Sequence, residues 1–137
     1  MSEGVLLDTC ALLWLMEGAE MDGAALELIE SAAREAGVWV SPVAALEVGG
    51  LSAQGRLVLS APVETWFNQI FELPGVGLAE LTPGNFIESS VLPGDAPGDL
   101  ADRLMLASAR SRSLTLITRD AALLAYAGAG HVRALAC

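Results

Sequence analysis

The 137-residue sequence predicts a three-layer α/β fold with a mostly parallel central sheet flanked by helices. Two observations carry this. Short apolar runs alternate with longer segments of helical period, the signature of strand–helix repeats. Helix-start signals also follow the strands directly. Asp8 stands after VLL, Ser41-Pro42 after VWV, and Asp120 one residue after LTLIT, each where a cap is expected.

The elements follow in order. Residues 5–7 read as a buried strand ending at Asp8, and a helix starts straight after. Residues 21–36 read as an amphipathic helix, with Met21, Ala25, Leu28 and Ala32 on one face. Gly37 ends it, and residues 38–40 form a second strand. A small-residue helix runs from Pro42 to about Gln54, and another covers residues 61–73, with Val63, Trp66, Phe67, Ile70 and Phe71 at helical spacing. Residues 76–81 are a third strand. Thr82 and Pro83 open a helix running to about Leu92. The loop PGDAPG precedes a strongly apolar helix over residues 99–113, expected to lie buried against the sheet. Residues 114–118 form a strand, 121–127 a short helix and 131–135 a last strand. Length and the lack of linkers or repeats indicate one domain over residues 1–137.

Hydrophobic residues make up 53 % of the chain, enough for a real core, yet no apolar run reaches the roughly 18 residues of a membrane span. The N-terminus lacks the pattern of a signal peptide. Cys10 and Cys137 form no disulfide or metal motif, which points to a reducing cytoplasm. Net charge is −10, and all seven basic residues are arginine. An acidic chain repels nucleic acid at long range, so any such contact must be local or metal-mediated. The absence of lysine excludes a P-loop and Schiff-base chemistry.

The carboxylates hold the chemistry. Asp8 and Asp120 follow strands and open helices, and Asp99 and Asp102 sit at another helix start. Taken singly, each is open to a capping role. Glu47 is different. It lies mid-helix between Leu46 and Val48, where a carboxylate needs a partner, a route to solvent or a metal. Parallel strand ends fall on one side of a sheet, so these acids converge and repel. Hard divalent cations, Mg²⁺ or Mn²⁺, resolve such clusters, and carboxylate-held metal is an apparatus of phosphodiester hydrolysis. Thr9 and Thr118 are placed to position metal-bound waters. Arg56, at the end of the Glu47 helix, and Arg119, before Asp120, are candidates for contact with a substrate phosphate. Arg103 is expected to pair with a carboxylate. Cys10, Trp14, Trp66 and Phe67 read as core, and His131, in the last strand, is a weak candidate for catalysis.

Four segments in order resemble the PIN-domain ribonucleases, and most closely the VapC-like toxins of bacterial toxin–antitoxin pairs. They are LLDTCALLWL (residues 6–15), VSPVAALEVGGLSAQGRL (40–57), LPGDAPGDLADRLMLASAR (92–110) and LTLITRDAALLAY (114–126). The resemblance implies an acidic quartet of Asp8, Glu47, Asp102 and Asp120 as catalytic and metal-binding residues, with Asp99 in support. It implies Mg²⁺ or Mn²⁺, endonucleolytic RNA cleavage, a homodimer and a cognate antitoxin. The chain departs from relatives that carry tryptophan at Leu46, or His and Pro around the third acid, where Pro97 and Leu100 stand. A phospho-acceptor receiver domain, also α/β with acids at strand ends, normally uses a lysine that is missing here. A PIN-like scaffold that binds a partner without cutting RNA is the remaining alternative, and the four retained acids count against it.

Overall fold

The computed structural model describes residues 4–18 and 20–137. Five strands, β1 (Val5–Leu7), β2 (Val38–Val40), β3 (Val76–Leu78), β4 (Thr115–Thr118) and β5 (Arg133–Ala136), form one sheet in the order β3-β2-β1-β4-β5. Every pairing in it is parallel. Val5 faces Val38 and Thr115, and Leu7 faces Val40 and Ile117. The helices are α1 (Thr9–Glu17), α2 (Gly23–Arg34), α3 (Pro42–Ala53), α4 (Val63–Gln69), α5 (Pro83–Ser90), α6 (Leu100–Arg112) and α7 (Ala121–Gly128).

The alternation of side chains along each strand divides the core in two. Val5, Leu7, Val38, Val40 and Ile117 pack on one face, with Leu12, Ile29, Val48, Trp66 and Ile70. Leu6 and Leu116 point to the other, with Leu106, Leu123 and Tyr126. Helix α6 feeds both clusters through Met105 and Leu106. Residues Leu104 to Ala109 are all buried, as a helix apolar all round requires. No described helix is long and apolar enough to cross a membrane.

Several boundaries move for identifiable reasons. Helix α2 starts at Gly23 because the Asp22 carboxylate accepts the Ala24 N–H at 2.9 Å. The segment expected as one helix over 61–73 is α4 followed by a 3₁₀ turn, Ile70–Glu72. Strand β3 stops at Leu78 because its partner β2 ends at Val40, opposite Leu78. Helix α5 ends at Ser90 rather than near Leu92. The Ser89 and Ser90 hydroxyls donate to the carbonyls of Phe86 and Ile87 at 2.6 and 2.7 Å, a local alternative to continuing the helix. At Gly75, φ is +77° and a Cβ would overlap the Ala33 main chain, so only glycine lets β3 enter beside α2.

The strand order reverses direction between β1 and β4, the switch point where open α/β sheets form a crevice. Asp8 leaves β1 and Asp120 leaves β4 on that edge.

Candidate active site

Asp8, Glu47, Asp102 and Asp120, drawn from four separate segments, line one cleft of about 690 Å³ with Thr9, Cys10, Leu13, Trp14, Arg56 and Arg119. A second hollow, lined by Arg110, His131 and Arg133, contains none of the four acids.

Capping and convergence hold together. Asp8 is 7 % exposed. Its Oδ1 accepts the Thr9 N–H at 2.8 Å, capping α1, while its Oδ2 accepts the Thr118 hydroxyl at 2.7 Å and the Cys10 thiol at 3.7 Å. Asp120 caps α7, one oxygen accepting the N–H groups of Ala122 and Leu123 at 2.8 and 3.0 Å. The Thr118 hydroxyl oxygen also accepts the Asp120 N–H at 3.0 Å, so one side chain couples the two strand-end acids. Asp99 caps α6 by accepting the Asp102 N–H at 3.0 Å. It is exposed and stands outside the cleft lining, but its charge acts on both Glu47 and Asp102.

Glu47 has a partner, though not an arginine. The Thr9 hydroxyl donates to its Oε1 at 2.6 Å. Thr9 and Thr118 therefore direct their protons at carboxylates and orient them. Loss of hydration raises the Glu47 carboxyl above its usual range, with Asp8 and Asp99 adding to the rise against the Thr9 hydrogen bond. Asp102 is pushed up to about 7, first by burial and then by Asp99, Asp120, Asp8 and Glu47. Both carboxyls are raised first by burial and then by neighbouring negative charge.

Among the described residues no three carboxylate, thiol or imidazole groups stand close enough to form a preformed ligand cage. The donor set nonetheless suits a hard cation. Mg²⁺ keeps several waters and takes only one or two carboxylates directly, which an open group of acids with all-oxygen chemistry provides.

Other assignments change. Among the described residues Arg103 makes no carboxylate pair; its Nε and Nη1 donate to the carbonyls of Ser89 and Pro97 at 2.7 and 2.8 Å. It ties the loop before α6 to α5. Arg110 pairs with Glu88 at 3.1 Å. His131 lies outside the cleft and stacks on Tyr126 at 4.7 Å between centroids. Trp66 and Phe67 are core, 3 % and 8 % exposed. Cys10 and Trp14 are only half-buried and line the cleft, Trp14 also packing against the edge of the core. The signal for Trp14 was its place one turn beyond Cys10, on the face that Cys10 presents to Asp8. Burial pushes the Cys10 thiol up to about 11, so it stays protonated and is no nucleophile.

Comparison with known proteins agrees with this geometry. Residues 5–129 match the PIN domain family. Over 117 residues the chain is 35 % identical to Ribonuclease VapC22 of Mycobacterium tuberculosis (strain ATCC 25618 / H37Rv), covering 85 % of this chain and 86 % of that protein. In fold it is similar to the VapBC2 complex of Rickettsia felis bound to a promoter DNA fragment (TM-score 0.66, 15 % identity, 97 % and 98 % of the two chains). It is equally similar to the DNA-bound VapBC of Salmonella typhimurium (TM-score 0.66, 13 % identity, 99 % and 98 %). The chain belongs to the PIN domain family.

Proposed function

We propose that the protein is a divalent-metal-dependent endoribonuclease, the toxin of a toxin–antitoxin pair, with residues 1–137 forming one nuclease domain. The observation that supports this most directly is the meeting of Asp8, Glu47, Asp102 and Asp120 in one cleft at the sheet's C-terminal edge. Ribonuclease relatives and toxin–antitoxin neighbours support the activity and the antitoxin partner.

The four acids are the residues that would hold Mg²⁺ or Mn²⁺, with Asp99 adding negative charge from the cleft's edge. Bound there, the cation supplies activation of water and stabilisation of charge on the phosphate. The chain's own part is orientation. Thr118 fixes the Asp8 carboxylate, Thr9 fixes Glu47, and the α7 amides fix Asp120. Arg56 and Arg119 bring positive charge to the rim of an acidic protein and contact the RNA, Arg56 at phosphate. Substrate approach relies on this local field, since a net charge of −10 opposes long-range attraction. Two free thiols suit a reducing cytoplasm. A homodimer is supported by exposed apolar side chains on and after α5: Phe86, Ile87 and Val91 are 52 %, 67 % and 71 % exposed.

The test is RNA cleavage in Mg²⁺ or Mn²⁺. Activity should vanish with chelator and in Asp8→Asn, a variant that keeps the cap oxygen and a folded far-UV spectrum. Cleavage that survives both chelator and substitution would refute the reading, and binding of RNA without cleavage would assign the chain to the scaffold class.

A further inference from the structure

At one end of the acidic cleft Trp14 and Arg119 form a flat platform. The Arg119 guanidinium carbon lies 3.1 Å from the centroid of the Trp14 ring. Its Nε donates to the main-chain oxygen of Cys137 at 2.8 Å. The indole on α1 and the carbonyl that follows β5 thus hold one exposed arginine. Arg119 is exposed, and the indole it covers is half-buried. The platform lines the same cleft as the quartet and sits one residue from Asp120; Leu13 complements it as an apolar wall.

Of the guanidinium edges that can fork a phosphate, Arg119 retains only the Nη1–Nη2 end. Its Nε edge is already engaged. A fixed plane over an aromatic ring is a surface for stacking. Unpaired nucleobases stack on aromatic rings and on guanidinium planes, with little dependence on which base is present. Stacking also needs no long-range attraction, which suits a chain of this charge.

We propose that the Arg119–Trp14 stack holds a nucleobase beside the scissile phosphate, making both residues substrate-binding groups that set the register of the RNA. The proposal rests on the endoribonuclease reading. Its test uses an RNA oligonucleotide whose cut site the wild-type protein defines in Mg²⁺ or Mn²⁺, and copies carrying a single abasic ribonucleotide at each position around that site. One abasic position should raise KM about tenfold for the wild type, with kcat little changed. Arg119→Lys, which keeps the charge and loses the plane, should raise KM on intact RNA by about the same factor and abolish the abasic penalty at that position. Its salt dependence of binding should match the wild type, because no charge is lost. Trp14→Phe should keep most of the affinity and Trp14→Leu should lose it. Wild-type kinetics in Arg119→Lys, or an abasic penalty undiminished in it, would overturn the proposal. So would a defect confined to inhibition by a protein partner, which would assign the platform to that partner. No cleavage by the wild type in either metal would remove the activity itself, whereas cleavage without an abasic penalty removes the platform alone.

Discussion

In the metal-free protein Asp102 should weaken the fold at neutral pH, and Asp102→Asn should strengthen it. Asp102 is pushed from 3.8 to about 7 by burial and by the charges of Asp99, Asp120, Asp8 and Glu47. Each pKa unit corresponds to about 1.36 kcal/mol, so a rise of roughly three units sets a ceiling of about 4 kcal/mol. The side chain is half-exposed, and solvent screening reduces this to about 1–2 kcal/mol. The sign follows from linkage. A carboxyl raised in the folded state favours folding when protonated. Its contribution is fully present below about pH 4 and is lost as pH rises to about 7, the folded value. An amide of the same shape does not titrate. Thermal melts in chelator should therefore show Asp102→Asn above the wild type by about 3–8 °C at pH 8, at a few degrees per kcal/mol for a chain of this size. The two should nearly coincide at pH 4. A variant less stable than the wild type at pH 8 in chelator would refute the account of the cluster as a site of uncompensated negative charge.

The reverse experiment adds the cation. Mg²⁺ or Mn²⁺ should raise the wild-type melting temperature, by an amount equivalent to roughly 2.7 kcal/mol at one hundred times Kd; the gain should shrink toward pH 4, where carboxylates protonate, and nearly vanish in Asp102→Asn. Thr118→Val removes the donor to the buried Asp8 carboxylate; calorimetric or denaturant unfolding should show a loss of about 1.5–3 kcal/mol, and titration a metal affinity roughly ten- to a hundredfold weaker. Arg56→Ala should weaken RNA binding for all sequences and flatten the log Kd against log salt slope by about one unit. An unchanged slope would show that Arg56 touches no phosphate.

The frame of the fold was legible because its signals are local. Each strand is a short apolar run, and the caps Asp8, Ser41, Thr82, Asp99 and Asp120 all accept a main-chain N–H as their residue types predict. That Asp8, Asp120 and Glu47 share one cleft was legible for a different reason: parallel strand ends must share an edge, and Glu47 had no local excuse; Asp102 rather than Asp99 as the fourth acid came from the family resemblance. What stayed hidden depends on long-range approach. No spacing rule pairs Thr9 with Glu47 or Thr118 with Asp8, 38 and 110 residues apart. Arg103 looked like an ion-pair former because charge was considered before the carbonyls of an irregular loop. Trp14 looked like core because helix periodicity reports the buried face of α1, and the cleft opens beside that face. Leu46, set in an apolar helix, is 74 % exposed for the same reason.

The site also explains how a chain without lysine tolerates several carboxylates on one edge. Three acids at this edge cap helices: Asp8 opens α1, Asp99 opens α6 and Asp120 opens α7. The N-terminal ends of these helices carry partial positive charge and free N–H groups, so main-chain dipoles meet these three acids directly. The two quartet members that cap nothing are Glu47, mid-way along α3, and Asp102, inside the first turn of α6. Burial and their acidic neighbours push both upward. Capping and catalysis are then successive demands on the same residue type. A cap fixes where an acid sits and offsets part of its charge; on the proposed reading a divalent cation would offset the repulsion that remains at Glu47 and Asp102.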